Sequence, residues 1–598
     1  MIGTILFRHS RTKVSALLLL LCLSAVTLVA PRTASLSSSG ATRSFGFSQG
    51  QPSVTFTGLR HYGRVEGTAV VPVTASDDVG VSRVELYVEG QLISAVDIVP
   101  NLPLVVVPFV WNTLTVANGK HILIAKAFDA AGNSETKAII LTARNFSSPT
   151  PTPTPTPSPS PTPTPPTGNN ITINPSVTYQ TMSGWEATSQ AGQLEAVSWN
   201  VYRNSLLDQA ANDLGVNRIR VELVSSVENP TDYYAQWRAG QITTSQYLAK
   251  RYEIVNDNAD PNVVNVGGFK WSSLNEVFDD LVIPLRQRLQ ARGETLWVSI
   301  CYVDFGPSTF EHKTNPAEYG ELVRAAYNHI QTRYGFPPDS WEVILEPDTT
   351  AAAWSSVQVA QAINAAGQRL TAGGFSPRFI APSTTSAANT PGYIDQIAQT
   401  PGAMQYVTEF SYHRYCCASD EILQMIANRA VQHNKQVGML EWIGADYNTL
   451  HQDIKLARAS SWQQYTLAFP GVPDNGAQYY LINESNPSNP VITLGSRTKI
   501  LRQYFKFIRS GARRIQAMTG NASFDPLAFM NPDGKYVVVV KASSSGTFNV
   551  HNLPAGTYGI KYSTGTQYDV NSADVSIGSG QSVPATIPAS GVITIYRR

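Results

Sequence analysis

Residues 148–166 alternate proline with threonine or serine. Proline fixes φ and has no backbone N–H, so this run takes the extended polyproline II form and enters neither helix nor sheet. It cannot pack a core, and it divides the chain into parts that fold separately. At ~3.1 Å per residue it reaches about 60 Å. With 598 residues the chain is also too long for one core, so several domains are expected.

The amino terminus has its own grammar. Arg8, Arg11 and Lys13 precede an apolar run over residues 16–30, shorter than the ~20 residues a membrane span needs. Residues 1–34 therefore read as a secretory signal peptide, which predicts a secreted, extracellular protein without stable membrane insertion once it is cleaved. Cys22 leaves with it. Cys301, Cys416 and Cys417 are too few for a disulfide framework, and their spacing fits no common zinc motif. A bridge from Cys301 to either neighbour stays open. Net charge is +1, charged residues are 15%, and no basic run occurs, which excludes nucleic acid as a partner.

Residues 52–145 read as short alternating strands separated by turn signals. Val84-Glu85-Leu86-Tyr87-Val88 alternates, Asp77-Asp78-Val79-Gly80 and Glu89-Gly90 read as turns, and about seven strands are expected in a β-sandwich. Ala75-Ser76-Asp77-Asp78-Val79-Gly80-Val81, Trp111-Asn112-Thr113 and Asp129-Ala130-Ala131-Gly132-Asn133 resemble bacterial immunoglobulin-like modules of secreted enzymes. Residues 146–169 form the Pro/Thr-rich linker.

After the linker, strands alternate with amphipathic helices over residues 170–513. Strands are expected at 182–185, 218–221, 296–301, 343–344, 378–381, 407–412, 437–440 and 478–482. Helices are expected at 316–333, 356–372, 420–433 and 497–509. Eight such units make a (β/α)8 TIM barrel. Residues 514–598 return to short strands, a C-terminal β-sandwich to which Ile171-Thr172-Ile173 is expected to add an edge strand. The fold class is thus multidomain: an Ig-like sandwich, then a barrel with an attached sandwich.

Two stretches of the barrel carry the chemistry. Trp341-Glu342-Val343-Ile344-Leu345-Glu346-Pro347 and Gln436-Val437-Gly438-Met439-Leu440-Glu441-Trp442 are apolar runs that end in an acid. A glutamate at one strand end is as readily a helix cap or a partner for arginine. Two of them at the C-terminal tips of parallel strands are what glycoside hydrolysis needs. Glu222, Asp304 and Glu409 are rival carboxylates. Trp185, Tyr302 and Trp442 stand at strand tips, where an aromatic ring can face a sugar.

Gln180-Thr181-Met182-Ser183-Gly184-Trp185, Phe507-Ile508-Arg509-Ser510-Gly511-Ala512 and Asn531-Pro532-Asp533-Gly534-Lys535 give a more specific signal. With the strand order they resemble clan A glycoside hydrolases, nearest in layout to family 30. The resemblance implies that Glu346, after strand four, is the acid/base and that Glu441, after strand seven, is the nucleophile. It implies substrate-side roles for Arg220 and for His413 and Tyr415 of the His-x-Tyr after strand six. It further implies a retaining O-glycosyl hydrolase acting as a monomer on a carbohydrate, without cofactor or metal. One position departs: the clan carries asparagine just before the acid/base, to bond the sugar 2-hydroxyl, and here it is Leu345. A catalytically weak, carbohydrate-binding barrel is the alternative this departure favours.

Overall fold

The computed structural model describes residues 51–145, 166–194, 196–306 and 308–598. The signal-like segment 1–34, and residues 146–165 of the linker, lie outside them. The chain divides into two compact units, one holding the described residues 51–145 and the other those from 166 onward.

The first unit is a six-stranded antiparallel sheet apart from one short parallel edge pairing. Inward residues such as Val71, Val73, Val84, Leu86, Leu123, Ala125 and Leu141 are fully buried. Alternation along each strand places them on one face, and the sheet closes around this face as its core. Six strands stand where about seven were expected, because the expected turn at Asp77–Gly80 does not end a strand. Asp77 Oδ1 accepts from the backbone N–H groups of Val79 and Gly80, each at 2.9 Å. The result is an irregular stretch inside one long strand, Thr68–Val88, whose register with Gln91–Asn112 breaks between Ser76 and Val81. Glu89-Gly90 does turn: both have positive φ and join Val88 to Gln91.

The second unit contains a closed barrel of eight parallel strands. They are β1 (Gly184–Thr188), β2 (Arg218–Val224), β3 (Trp297–Val303), β4 (Ser340–Glu342), β5 (Phe379–Ser386), β6 (Val407–Cys416), β7 (Gln436–Glu441) and β8 (Ser461–Trp462), with β8 returning to pair β1. Helices cover the outside. The helix α1 (Pro316–Tyr334) follows β3, begins with proline at its first turn and ends on Gly335 at φ +81°, the expected start and stop chemistry. α2 (Thr498–Phe505) stops short of the 497–509 expected.

The eighth strand is not the expected 478–482. That segment, Gln478–Asn483, pairs outside the barrel with Thr466–Ala468 and Val491–Leu494. The true β8 has two residues and sits in the polar run Ser460-Ser461-Trp462-Gln463-Gln464, so it carries no hydrophobic run to announce it.

Nine strands form the C-terminal sheet. Asn170–Thr181 is not at its edge. It lies between Arg513–Thr519, antiparallel, and Gly546–His551, parallel. Ile171 and Ile173 are fully buried in the core with Ile515, Val538, Val550 and Ile595. The chain thus enters and leaves the barrel through one sheet. No helix among the described residues is long and apolar enough to cross a membrane.

Candidate active site

Strand alternation lines the barrel interior with charge. Arg218 and Arg220 are two residues apart on β2, so both point inward, and both are fully buried. They anchor two layers. In the lower layer, Arg218 donates to both oxygens of Glu409 at 3.1 and 3.2 Å, and its Nε lies 3.5 Å from Glu186. Glu409 is therefore a structural counter-ion. Burial pushes the Glu186 carboxyl up to about 7 against the pull of Arg218.

The upper layer lies at the C-terminal mouth. Arg220 grips Glu342 on β4 with Nε and Nη2, at 2.7 and 2.6 Å, and donates through Nη1 to Glu441 at 2.8 Å. Glu441 ends β7, and its other oxygen accepts from the Tyr415 hydroxyl at 2.8 Å. Burial raises the Glu441 carboxyl, His413 and Arg220 pull it back, and the Glu346 charge raises it again. Burial alone would raise Glu342 as well. There the Arg220 charge and hydrogen bonds win and hold its carboxyl below the ordinary value.

Glu346 reaches this layer by an irregular route. β4 stops at Glu342, and residues 343–346 continue it with alternating neighbours. The Leu345 N–H donates to Tyr302 on β3 and the Glu346 N–H to Ser383 on β5. Glu346 takes φ +50°, a left-handed conformation that is uncommon for a residue with a side chain, and it aims the carboxylate across the mouth. One oxygen of Glu346, one of Glu441 and a ring nitrogen of His413 all lie within 4.8 Å of one another. His413 Nδ1 is 3.0 Å from Glu346 Oε1, and its Nε2 is 3.1 Å from Ser383 Oγ. The Ser383 hydroxyl in turn donates to Glu342. Two carboxylates and an imidazole could hold a metal ion, but the guanidinium bonded to Glu441 already supplies the positive charge there.

The structure thus brings together Glu346, Glu441, Arg220, His413 and Tyr415. Trp442 is half-buried beside them, with the Arg414 guanidinium 5.6 Å from its ring centre. Two aromatic expectations are corrected. Trp185 alternates with the inward Glu186 and so points out of the barrel, where it stacks on Phe505 and donates to Ile508 O at 2.7 Å. Tyr302 lies between Cys301 and Val303 and also points outward. It is fully buried against Tyr319 and Trp354, with its hydroxyl on His312. Neither ring can face a sugar in the mouth. Of the rival acids, Glu222 is partly exposed and 3.9 Å from Arg251, while Asp304 accepts from Ser225 at 2.9 Å.

Two residues escaped sequence reading: Glu342 and Ser383. Glu342 had a signal, since a carboxylate inside a buried strand needs a partner, and β2 offered two arginines. Ser383 had none. The cysteines also resolve: Cys416 and Cys417 are bonded to each other at the exposed end of β6, and Cys301 is free and buried. Leu345 is 5% exposed, in an apolar cluster with Cys301 and Val303.

The bacterial Ig domain matches residues 52–125, and the glycosyl hydrolase family 30 beta sandwich domain matches residues 511–595. No curated protein matches the chain. Among solved structures it is similar to a GH30 endoxylanase from Clostridium papyrosolvens C71, with 16% identity over 72% of this chain and 100% of that one and a TM-score of 0.51. The catalytic domain of GH30 xylanase C from Talaromyces cellulolyticus gives 16%, 72%, 100% and 0.53. SrfJ from Salmonella typhimurium gives 13%, 78%, 96% and 0.52. At these identities the likeness is one of fold. The chain therefore carries a bacterial Ig domain and a glycosyl hydrolase family 30 beta sandwich domain, the latter joined to an eight-stranded parallel barrel of the fold seen in GH30 xylanases.

Proposed function

We propose that this protein is a secreted retaining glycoside hydrolase that cleaves a polysaccharide or oligosaccharide by double displacement, with Glu441 as nucleophile and Glu346 as acid/base. The observation that carries the reading is the closeness of these two carboxylates at the barrel mouth, an oxygen of each within 4.8 Å. Retaining enzymes hold their carboxyl groups ~5–5.5 Å apart, whereas inverting enzymes leave room for a water between them. The likeness to GH30 xylanases supports the class, and xylan heads the substrates to test. The signal-like segment and the Ig domain support secretion.

Hydrogen-bond valence supports the division of roles. Glu441 accepts from Arg220 and Tyr415, which favours the ionised form a nucleophile needs. Glu342, held ionised by Arg220, accepts the Ser383 hydroxyl proton. Ser383 Oγ then accepts from His413 Nε2–H. His413 Nδ1 faces Glu346 Oε1 at 3.0 Å, so the pair shares one proton, carried by one atom or the other. When Glu346 carries that proton, its carboxyl is the acid that glycosidic oxygen departure requires. After the glycosyl-enzyme forms, the ionised Glu346 can take a proton from water.

Leu345 favours a second reading, a barrel that binds glycan and turns it over poorly. An apolar side chain offers the sugar 2-hydroxyl no hydrogen bond. A turnover screen on aryl β-glycosides, xylan and other plant and microbial polysaccharides separates the two. Reducing-end release that disappears in Glu441→Gln supports the enzyme. Binding without release supports the glycan-binding barrel.

A further inference from the structure

A second group of acids lies apart from the cleft pair. Asp257, in the long segment between β2 and β3, meets Glu318 and Glu321 on the first two turns of α1. One oxygen of each lies within 4.8 Å of the others. Glu318 and Glu321 are three residues apart and share one helix face. Asp257 is fixed in place: its Oδ2 accepts from Asn265 N at 2.6 Å and Asn258 Nδ2 at 2.9 Å. Gly268 makes room for it, since a Cβ there would stand 2.3 Å from the Asp257 Cβ.

The remaining oxygens lack a cationic partner. Glu321 is 1% exposed, and its carboxylate oxygens meet no donor but the neighbouring Glu318 carboxyl. Asp257 Oδ1 is buried without a partner, and Glu318 meets only Glu321 and Asn256. Among the described residues no lysine, arginine or histidine pairs with any of the three acids. The next charged group is another acid, Glu228, which takes His312 for itself at 2.8 Å and also accepts from Asp257 N. Buried carboxylates without a counter-charge are strongly unfavourable, so an arrangement that sets two of them against the half-buried Asp257 calls for a cation.

We propose that Asp257, Glu318 and Glu321 bind one calcium ion that ties the segment between β2 and β3 to α1. The donors are all oxygen, which selects a hard ion. Ca²⁺ takes roughly six to eight oxygens in a flexible shell, which suits side chains from a loop and a helix, whereas Mg²⁺ demands near-ideal octahedral geometry and gives up its water reluctantly. Water completes the shell. The pinned segment carries Arg251, which faces Glu222 at the rim of the mouth, so calcium would order that rim.

The test uses the full-length protein stripped of metal with a chelator. Calorimetric titration with CaCl₂ should give one site per chain. Millimolar CaCl₂ should raise Tm by about 3 °C or more over the chelated protein, with a smaller rise for MgCl₂. Glu321→Gln and Asp257→Asn should each weaken calcium binding at least tenfold and remove the calcium-dependent rise. No heat and no Tm change with the unmodified protein would overturn the proposal, even where a variant fails to fold. Unchanged calcium affinity in both variants would also overturn it. So would calcium indifference together with a higher Tm for metal-free Glu321→Gln, the signature of a proton shared between Glu318 and Glu321.

Discussion

Arg220 donates through Nη1 to Glu441 at 2.8 Å while its other two nitrogens hold Glu342. One planar guanidinium thus sets the charge of two carboxylates on different strands. A lysine has the charge but lacks the fork. Arg220→Lys should lower kcat/KM by ~10² and move the acidic limb of its pH profile upward, because Glu441 loses a hydrogen bond to its ionised form. Folding stability should fall by roughly 3 kcal/mol, since two buried carboxylates lose part of their counter-charge. Kinetics across pH and a thermal melt check both.

The lower layer makes a separate pH prediction. Glu186 is buried and its carboxyl is raised to about 7. A raised acid stabilises the fold fully below its unfolded value, near 4.5, and that contribution is lost as pH rises through about 7. Glu186→Gln should therefore gain up to about 3 kcal/mol over the native protein at pH 8. It should also flatten the loss of Tm between pH 4.5 and 7. Arg218 keeps Glu409 as its partner, so activity should be spared. Melts at pH 4.5 and 8 decide it.

Leu345 allows a gain-of-function test. Leu345→Asn places a donor and an acceptor just before Glu346, at the position where Leu345 packs on Cys301 and Val303. Burying the amide should cost about 1–3 kcal/mol of stability. If the sugar 2-hydroxyl is the missing partner, kcat/KM on aryl glycosides should rise ~10-fold, and the gain should vanish on the matching 2-deoxyglycosides.

How much of this could be read from the chain varies by element for physical reasons. Glu346 and Glu441 were legible because each closes an apolar run at the end of a parallel strand. The helix spans at 316–333 and 420–433 were legible from their periodicity; the observed helices are Pro316–Tyr334 and Asp420–His433. Trp185 and Tyr302 misled because a strand tip does not say which way a ring points; only alternation with Glu186 and Cys301 does. β8 was invisible, since its neighbours are serine and glutamine. Ser383 was invisible because nothing in the order of residues links β5 to His413 and Glu342.

Azide rescue tests the division of labour between Glu346 and Glu441 most directly. Glu346→Ala should slow natural substrates by ~10²–10⁴, because a poor leaving group needs the proton. An activated aryl β-glycoside leaves without that proton, so its glycosyl-enzyme should form on Glu441 and accumulate. Azide needs no general base; it should restore turnover and give the β-glycosyl azide, with configuration retained. Glu441→Ala should be inactive on every substrate without azide, since no covalent intermediate can form. An α-glycosyl azide from Glu346→Ala, with the β-azide coming from Glu441→Ala, would reverse the two roles. Unchanged rates in both variants would place the chemistry elsewhere.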